Sequence, residues 1–281
     1  MQEVSVRPVN LGQLAAILPA ERADRLAAAA EQARSAFGDR VVWHVNATAH
    51  GGGVAEMLQT LLAYGKGAGI ENRWLVLDGD ARFFEITKRL HNMLHGAPGD
   101  GGSLGHAEHT HYEAVLSTQL AELTRRVSPQ DIVLLHDPQT AGLAEGLRAI
   151  GARVVWRCHV GSDLTNELTL TGWQFLRSYL AHAYALVFSR REYAPSWVED
   201  ARLVVIPPSI DPLAVKNMPL SPGTSRRCSR GSDWSRTVPE KVRSASRGGT
   251  AHPARCGPIS GQGASSWAAT RPRSAYRSWS R

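Results

Sequence analysis

The sequence predicts an α/β fold, a doubly wound parallel sheet, followed by a segment with no fold signal. Three observations carry this. Six short apolar runs rich in β-branched residues, "RVVWHVN", "NRWLVLDG", "DIVLLHD", "ARVVWRCHV", "AYALVFS" and "RLVVIPPS", recur up to about Leu220. Each has the length and continuous hydrophobicity of a strand buried on both faces. Helical periodicity fills the spaces between them, and strand–helix alternation implies right-handed crossovers and a parallel sheet. Beyond Leu220 both periods vanish.

The elements follow in chain order. Residues Glu21 to Phe37 form an Ala-rich leading helix. In "GVAEMLQTLLAYGKGAG" Val54, Met57, Leu58, Leu61 and Leu62 share one helix face. "FFEITKRLHNML" is amphipathic, with Phe84, Thr87, Leu90 and His91 near one face and Lys88 and Asn92 four apart on another. "HYEAVLSTQLAELTRR" repeats the pattern through Val115, Leu116, Leu120 and Leu123. The histidines at 91, 95, 106, 109 and 111 surround a Gly-rich stretch. Without partner cysteines they are expected to be solvated loop residues rather than a zinc site.

Length and composition narrow the class. The 281 residues are 43% hydrophobic, ordinary for a globular protein. No apolar run approaches the ~20 residues of a membrane span. The N-terminus has no basic region leading into an apolar core, so no secretory signal is expected. Three scattered cysteines, Cys158, Cys228 and Cys256, suggest neither a disulfide framework nor a metal motif, and point to the cytoplasm. The charge is uneven. Residues 221–281 hold eleven Arg and one Lys against Asp233 and Glu240, a net of +10 that leaves −3 for the first 220 residues out of a total of +7. This Ser-, Arg-, Gly- and Pro-rich tail cannot bury enough apolar surface to order itself. Its Arg-over-Lys bias suits a GC-rich gene read out of frame; a natural disordered tail and a basic nucleic-acid arm are the competing readings.

Ligands of doubly wound sheets bind at the carboxyl ends of the strands. Gly51, Gly52 and Gly53 stand between a strand and a helix there, where bare helix N–H groups can meet an anion. The same edge carries Asn46, Asp78 and Asp80, His136 and Asp137, and Arg157 and His159. Asp137 before Pro138 could equally cap a helix starting near Gln139. Imidazole and carboxylate suit sugar hydroxyls, and Arg157 suits phosphate. A nicotinamide oxidoreductase is disfavoured, because the first strand lacks GxGxxG.

Five segments, "VWHVNATAHGGGVAEML", "FFEITKRLHNMLHG", "LLHDPQTAGL", "VVWRCHVGSDL" and "VIPPSIDPLAVKN", occur in this order over about residues 40–217. Together they resemble the N-terminal half of glycosyltransferring trehalose synthases, retaining GT-B enzymes of glycosyltransferase family 4, to which a retaining trehalose phosphorylase is closely similar. The resemblance implies a Rossmann-like domain at 40–220, after an extension and leading helix at 1–39 and before the tail at 221–281. It implies glucose transfer from a nucleoside-diphosphate glucose to glucose, with no cofactor and no metal. It places His159 beside the transferred sugar as the catalytic residue, and Gly51, Gly52, Gly53 and Arg157 at the donor phosphates. The acceptor, glucose or trehalose, is expected at Asn46, Lys88, His91, Asn92, His136 and Asp137. The family's second, donor-binding domain has no counterpart in the sequence, so the chain alone is expected to be inactive or nearly so; a retaining trehalose phosphorylase fragment and a non-catalytic sugar-binding module are the alternatives. No membrane partner is expected, nucleic acid is disfavoured, and a homo-oligomer is left open.

Overall fold

The computed structural model describes residues 1–214 and Asn217. The basic tail at 221–281, with the expectations of disorder and frame loss, lies outside the described residues. Met1–Asp211 form one compact unit, built on a seven-stranded sheet. Its strands are β1 (Gln2–Val4), β2 (Val42–Asn46), β3 (Asn72–Val76), β4 (Ile132–His136), β5 (Arg153–Cys158), β6 (Ala185–Phe188) and β7 (Leu203–Val205), in the order β1-β3-β2-β4-β5-β6-β7. All neighbours pair in parallel except β1, which runs antiparallel to β3 with Gln2 opposite Val76. All six apolar runs are strands. β1 went unforeseen: three residues are too few for a periodic signal, and pairing with β3 is what makes them a strand.

The connecting helices are α1 (Leu11–Ala15), α2 (Ala20–Phe37), α3 (Gly53–Gly67), α4 (Ala81–Leu94), α5 (His106–Leu123), α6 (Ala144–Ala149) and α7 (Glu167–Leu180), with short 3-10 helices at Pro138–Leu143 and Arg191–Tyr193. The crossover from β2 goes to β3 on one side, and the chain then returns to lay β4 on the other. The topological switch point therefore falls between β2 and β4.

The two sheet faces differ. Alternation puts Trp43, Val45, Val133, Leu135, Val154, Trp156 and Cys158 on one face, where they form the main core with Phe83, Leu90 and Leu94 of α4, Tyr112 and Leu116 of α5, and Trp173 and Leu176 of α7. On the other face Leu58 and Leu62 of α3 pack against Trp74 and Val76. Full burial of each leucine contributes about 1.5–3 kcal/mol.

Local signals explain the helix starts. Asp80 Oδ1 accepts from Phe83 N at 2.7 Å and caps α4, and Asn166 Oδ1 accepts from Thr169 N at 2.9 Å and caps α7. On α4 the buried face is Phe83, Ile86, Thr87 and Leu90, while Phe84 lies outside. This shifts the expected apolar face by one residue.

The Gly-rich stretch at 95–105 is irregular as expected, but its continuation from His106 to Thr110 is the start of α5. Glu108 Oε2 accepts from Gly105 N at 2.8 Å and steadies the first turn. His109 stacks on Phe175 with centroids 3.9 Å apart, and its Nδ1 meets Tyr179 Oη at 2.8 Å. His111 Nε2 meets Asp80 Oδ1 at 2.8 Å. These imidazoles are packing groups between helices, which composition alone could not reveal.

Candidate functional site

The carboxyl ends of β2, β4 and β5 lie side by side across the switch point. Parallel register fixes which residues share a face. His44 aligns with Leu134, Leu134 with Val155, and His136 with Arg157. Side chains two apart on a strand point the same way. His44, His136, Arg157 and His159 therefore share the face opposite the main core.

The rings meet in a row. His44 Nδ1 lies 3.0 Å from His136 Nε2, and His136 Nδ1 lies 3.1 Å from His159 Nε2. Their planes are nearly parallel, at 16° and 18°, with centroids 5.3 and 5.4 Å apart. Burial, with the Arg157 guanidinium adding to it, lowers the His44 pKa to about 3 and that of His159 to about 4. His136 is held well below the usual imidazole value by burial first, then by its two ring neighbours and Arg157. All three are neutral at pH 7.

Asp137 turns the chain at the end of β4 with φ of 64°, a left-handed conformation that Asp tolerates better than most residues. It does not cap the following 3-10 helix, as its sequence position suggested. Its Oδ1 accepts from His159 N at 2.7 Å and fixes the backbone where β5 ends. Burial pushes its carboxyl pKa up to about 7, against the pull of the His159 amide and Arg157. The same desolvation lowers Arg157, which Asp137 partly offsets.

The glycine bend lies after β2. Gly51 and Gly52 have φ of 73° and 88°, which a side-chain-bearing residue adopts only with strain. All three glycines are exposed, and a Cβ at any of them would meet no atom within 4 Å. Gly52 caps α3 without a side chain, so the first N–H groups of this 15-residue helix have no side-chain cap. Asn46 anchors the root of this bend: Trp74 Nε1 donates to its Oδ1 at 2.8 Å, and its Nδ2 donates to Thr48 O at 2.7 Å.

On α4, Lys88 is exposed and His91 and Asn92 are half-buried. His91 stacks edge-on with His95 at 5.0 Å, and burial, then His95 and Lys88, lower its pKa. The end of α4 is tied to the loop after β5, because His95 Nδ1 lies 3.1 Å from Gly161 O and Asn166 Nδ2 donates to Gly96 O at 2.9 Å.

Thus Asn46, His136, Asp137, Arg157 and His159 share adjoining strand ends and the glycines follow β2, whereas α4 is tied to the loop after β5 by His95 and Gly96 and not by Lys88, His91 or Asn92. His136 differs from expectation: it is fully buried and both ring nitrogens are engaged by imidazoles, which removes it from direct ligand contact. His44 was not singled out in the sequence. Its signal was there, a polar residue inside an apolar strand, two before Asn46 and so on the same face.

A parallel sheet wound in this order defines a Rossmann-like α/β domain of the kind that forms the N-terminal half of GT-B glycosyltransferases; the solved apo structure of OtsA matches it with a TM-score of 0.50 at 18% identity, over 69% of this chain and 56% of that one, a likeness of fold. The chain belongs to the family of trehalose synthase N-terminal domains, which matches residues 44–195. It is 42% identical over 182 residues to a trehalose synthase of Rubrobacter xylanophilus, covering 64% of this chain and 42% of that protein. It is 35% identical over 193 residues to a trehalose synthase of Thermococcus litoralis, covering 65% and 42%. The chain thus spans less than half the length of these relatives.

Proposed function

We propose that this chain is the acceptor-side half of a retaining glucosyltransferase of the trehalose synthase kind, acting on a nucleoside-diphosphate glucose with glucose as acceptor. The observation that carries this reading is the open bend Gly51–Gly53 over the start of α3, beside the switch point where His159, Arg157 and Asp137 end their strands. Bare amides and a helix dipole suit donor phosphate, and Arg157 adds positive charge. His159 faces the transferred sugar. Asp137, His91, Lys88 and Asn92 supply hydrogen bonds for the acceptor, and Asn46 shapes the bend from beneath. Departure of the diphosphate needs charge stabilisation, which Arg157 and the first amides of α3 begin to supply. A cytoplasmic location goes with activated nucleotide sugars; among the described residues no helix is long and apolar enough to cross a membrane.

Calorimetric titration with glucose, with trehalose and with nucleoside-diphosphate glucose tests this directly. At least one should bind, and Gly52→Val should weaken the phosphate-bearing ligand at least tenfold. It should also cost about 1–2 kcal/mol of stability through its positive φ. No heat with any of the three would overturn the reading. Sugar binding that ignores the bend would leave a sugar-binding module without a donor site.

A further inference from the structure

We propose that His44 and His136 are positioning residues that set the tautomer of His159, and so decide whether its remaining ring nitrogen, Nδ1, donates to a ligand hydroxyl or accepts from one. The ligand rests on the reading above; the proton arrangement does not. A neutral imidazole carries one N–H and one bare nitrogen. The two contacts between the three rings, at 3.0 and 3.1 Å, each need one donor and one acceptor. Three neutral rings hold three protons. Two occupy the internal hydrogen bonds, and the third must sit at one end of the row.

Only two arrangements satisfy both contacts. In the first, His44 Nδ1–H donates to His136 Nε2 and His136 Nδ1–H donates to His159 Nε2, which leaves a proton on His159 Nδ1. In the second every bond reverses: His159 Nε2–H donates to His136 Nδ1, His136 Nε2–H donates to His44 Nδ1, the end proton sits on His44 Nε2, and His159 Nδ1 is bare. All three rings are thus Nδ1–H tautomers or all three are Nε2–H tautomers. A mixed row would set two N–H groups, or two lone pairs, against each other inside the protein, at the cost of an unmade buried hydrogen bond.

Several features hold the row neutral and still. His44 and His136 are buried, and the nearly parallel planes keep the nitrogens aligned. Arg157, on the same face, opposes a fourth proton on any ring. Asp137 fixes the His159 backbone by its 2.7 Å contact to the amide and leaves the ring to its imidazole partner. Among the described residues neither end nitrogen, His44 Nε2 nor His159 Nδ1, has a hydrogen-bond partner; His44 is buried and His159 is only half-buried, so His159 Nδ1 is the end of the row available to a ligand. Sugar hydroxyls both donate and accept, and fixing the sense of this one bond would fix the hydroxyl's orientation in return.

The test needs no turnover. The full 281-residue chain, labelled with 15N at histidine and free of ligand, is examined by two-bond proton–nitrogen correlation at pH 7.5, with rings assigned by single substitutions. The expected result is one shared neutral tautomer for His44, His136 and His159. Unlike tautomers in neighbouring rings, or a charged ring among them, overturns the proposal. In His44→Phe the His159 tautomer population should change, and His44→Asn, whose amide can donate or accept near the Nδ1 position, should restore it; an unchanged His159 spectrum in folded His44→Phe also overturns it. Should His44→Phe not fold, the wild-type tautomers decide alone. Adding glucose or trehalose is a separate arm: silence at His159 would count against the sugar site while the ligand-free tautomers still judge the row.

Discussion

On acidification from pH 7.5 to 5 the folded domain should lose roughly 3 kcal/mol of stability, a large share of the 5–15 kcal/mol typical of a domain. The cause is the row of neutral imidazoles. His44, His136 and His159 all have folded-state pKa values depressed below the ordinary 6.5, to about 3 for His44 and about 4 for His159. Above pH 6.5 neither the folded nor the unfolded state protonates them. As pH falls below 6.5 the unfolded chain takes up three protons that the folded state refuses, and each contributes up to ~1.4 kcal/mol per pH unit of destabilisation. His91 and His109, lowered chiefly by burial, act in the same direction.

Asp137 opposes them. Its folded-state value is raised to about 7, so between pH 7 and 4 the folded state holds a proton that the unfolded carboxylate does not. This offsets about one histidine. Urea unfolding at pH 7.5, 6 and 5 measures the balance. His44→Phe, if folded, should flatten the net pH slope by roughly a half, and Asp137→Asn should steepen it by a similar amount. A wild-type stability that is flat or rising on acidification would show that these rings are charged or solvated in the folded state.

How much of this was legible beforehand differs by element. The strands were readable because each is a short continuous apolar run, and α2 because its alanines favour a helix even with Ala30 as its one buried residue: the expected helix from Glu21 to Phe37 is Ala20–Phe37 in the structure. The start of α5 was hidden, because Gly and His suggest a loop until Phe175 and Tyr179, some seventy residues away, are seen to receive His109. The site shows the same division. Their positions at the carboxyl ends of strands placed Asn46, His136, Asp137, Arg157 and His159 at one edge, and a Gly run between strand and helix marked an open bend. What the one-dimensional pattern lacks is the neighbour across the ladder. The alignment of His44 with Leu134, and of His136 with Arg157, turns three separate histidines into a hydrogen-bonded row. That pairing also changes His136 from an expected sugar contact into a buried intermediary.

At the opposite edge of the sheet a single carboxylate carries comparable weight, and Asp131→Ala should cost about 3–5 kcal/mol. Asp131 is buried just before β4, where Oδ1 accepts from Val41 N at 3.1 Å and Oδ2 accepts from Trp43 Nε1 at 3.1 Å and from Ser128 N at 2.9 Å. It therefore clamps the entry of β2 to the turn that feeds β4, the two strands flanking the switch point. Alanine would orphan three donors, one of them on a fully buried tryptophan, at about 1–3 kcal/mol for each group that water cannot reach. Asn keeps one acceptor but turns an amine toward an N–H, so Asp131→Asn should cost less, roughly 1–2 kcal/mol. In a double-mutant cycle, Trp43→Phe should reduce the Asp131→Ala penalty by about 1 kcal/mol, because one orphan donor is gone. A cost below 1 kcal/mol for Asp131→Ala would mean the three N–H groups find water instead. Since this clamp works at the strand entries and the proposed ligands sit at the exits, a folded Asp131→Asn should bind them as the wild type does. Lost stability with unaltered affinity would separate the end of the sheet that holds the register from the end that meets the sugar.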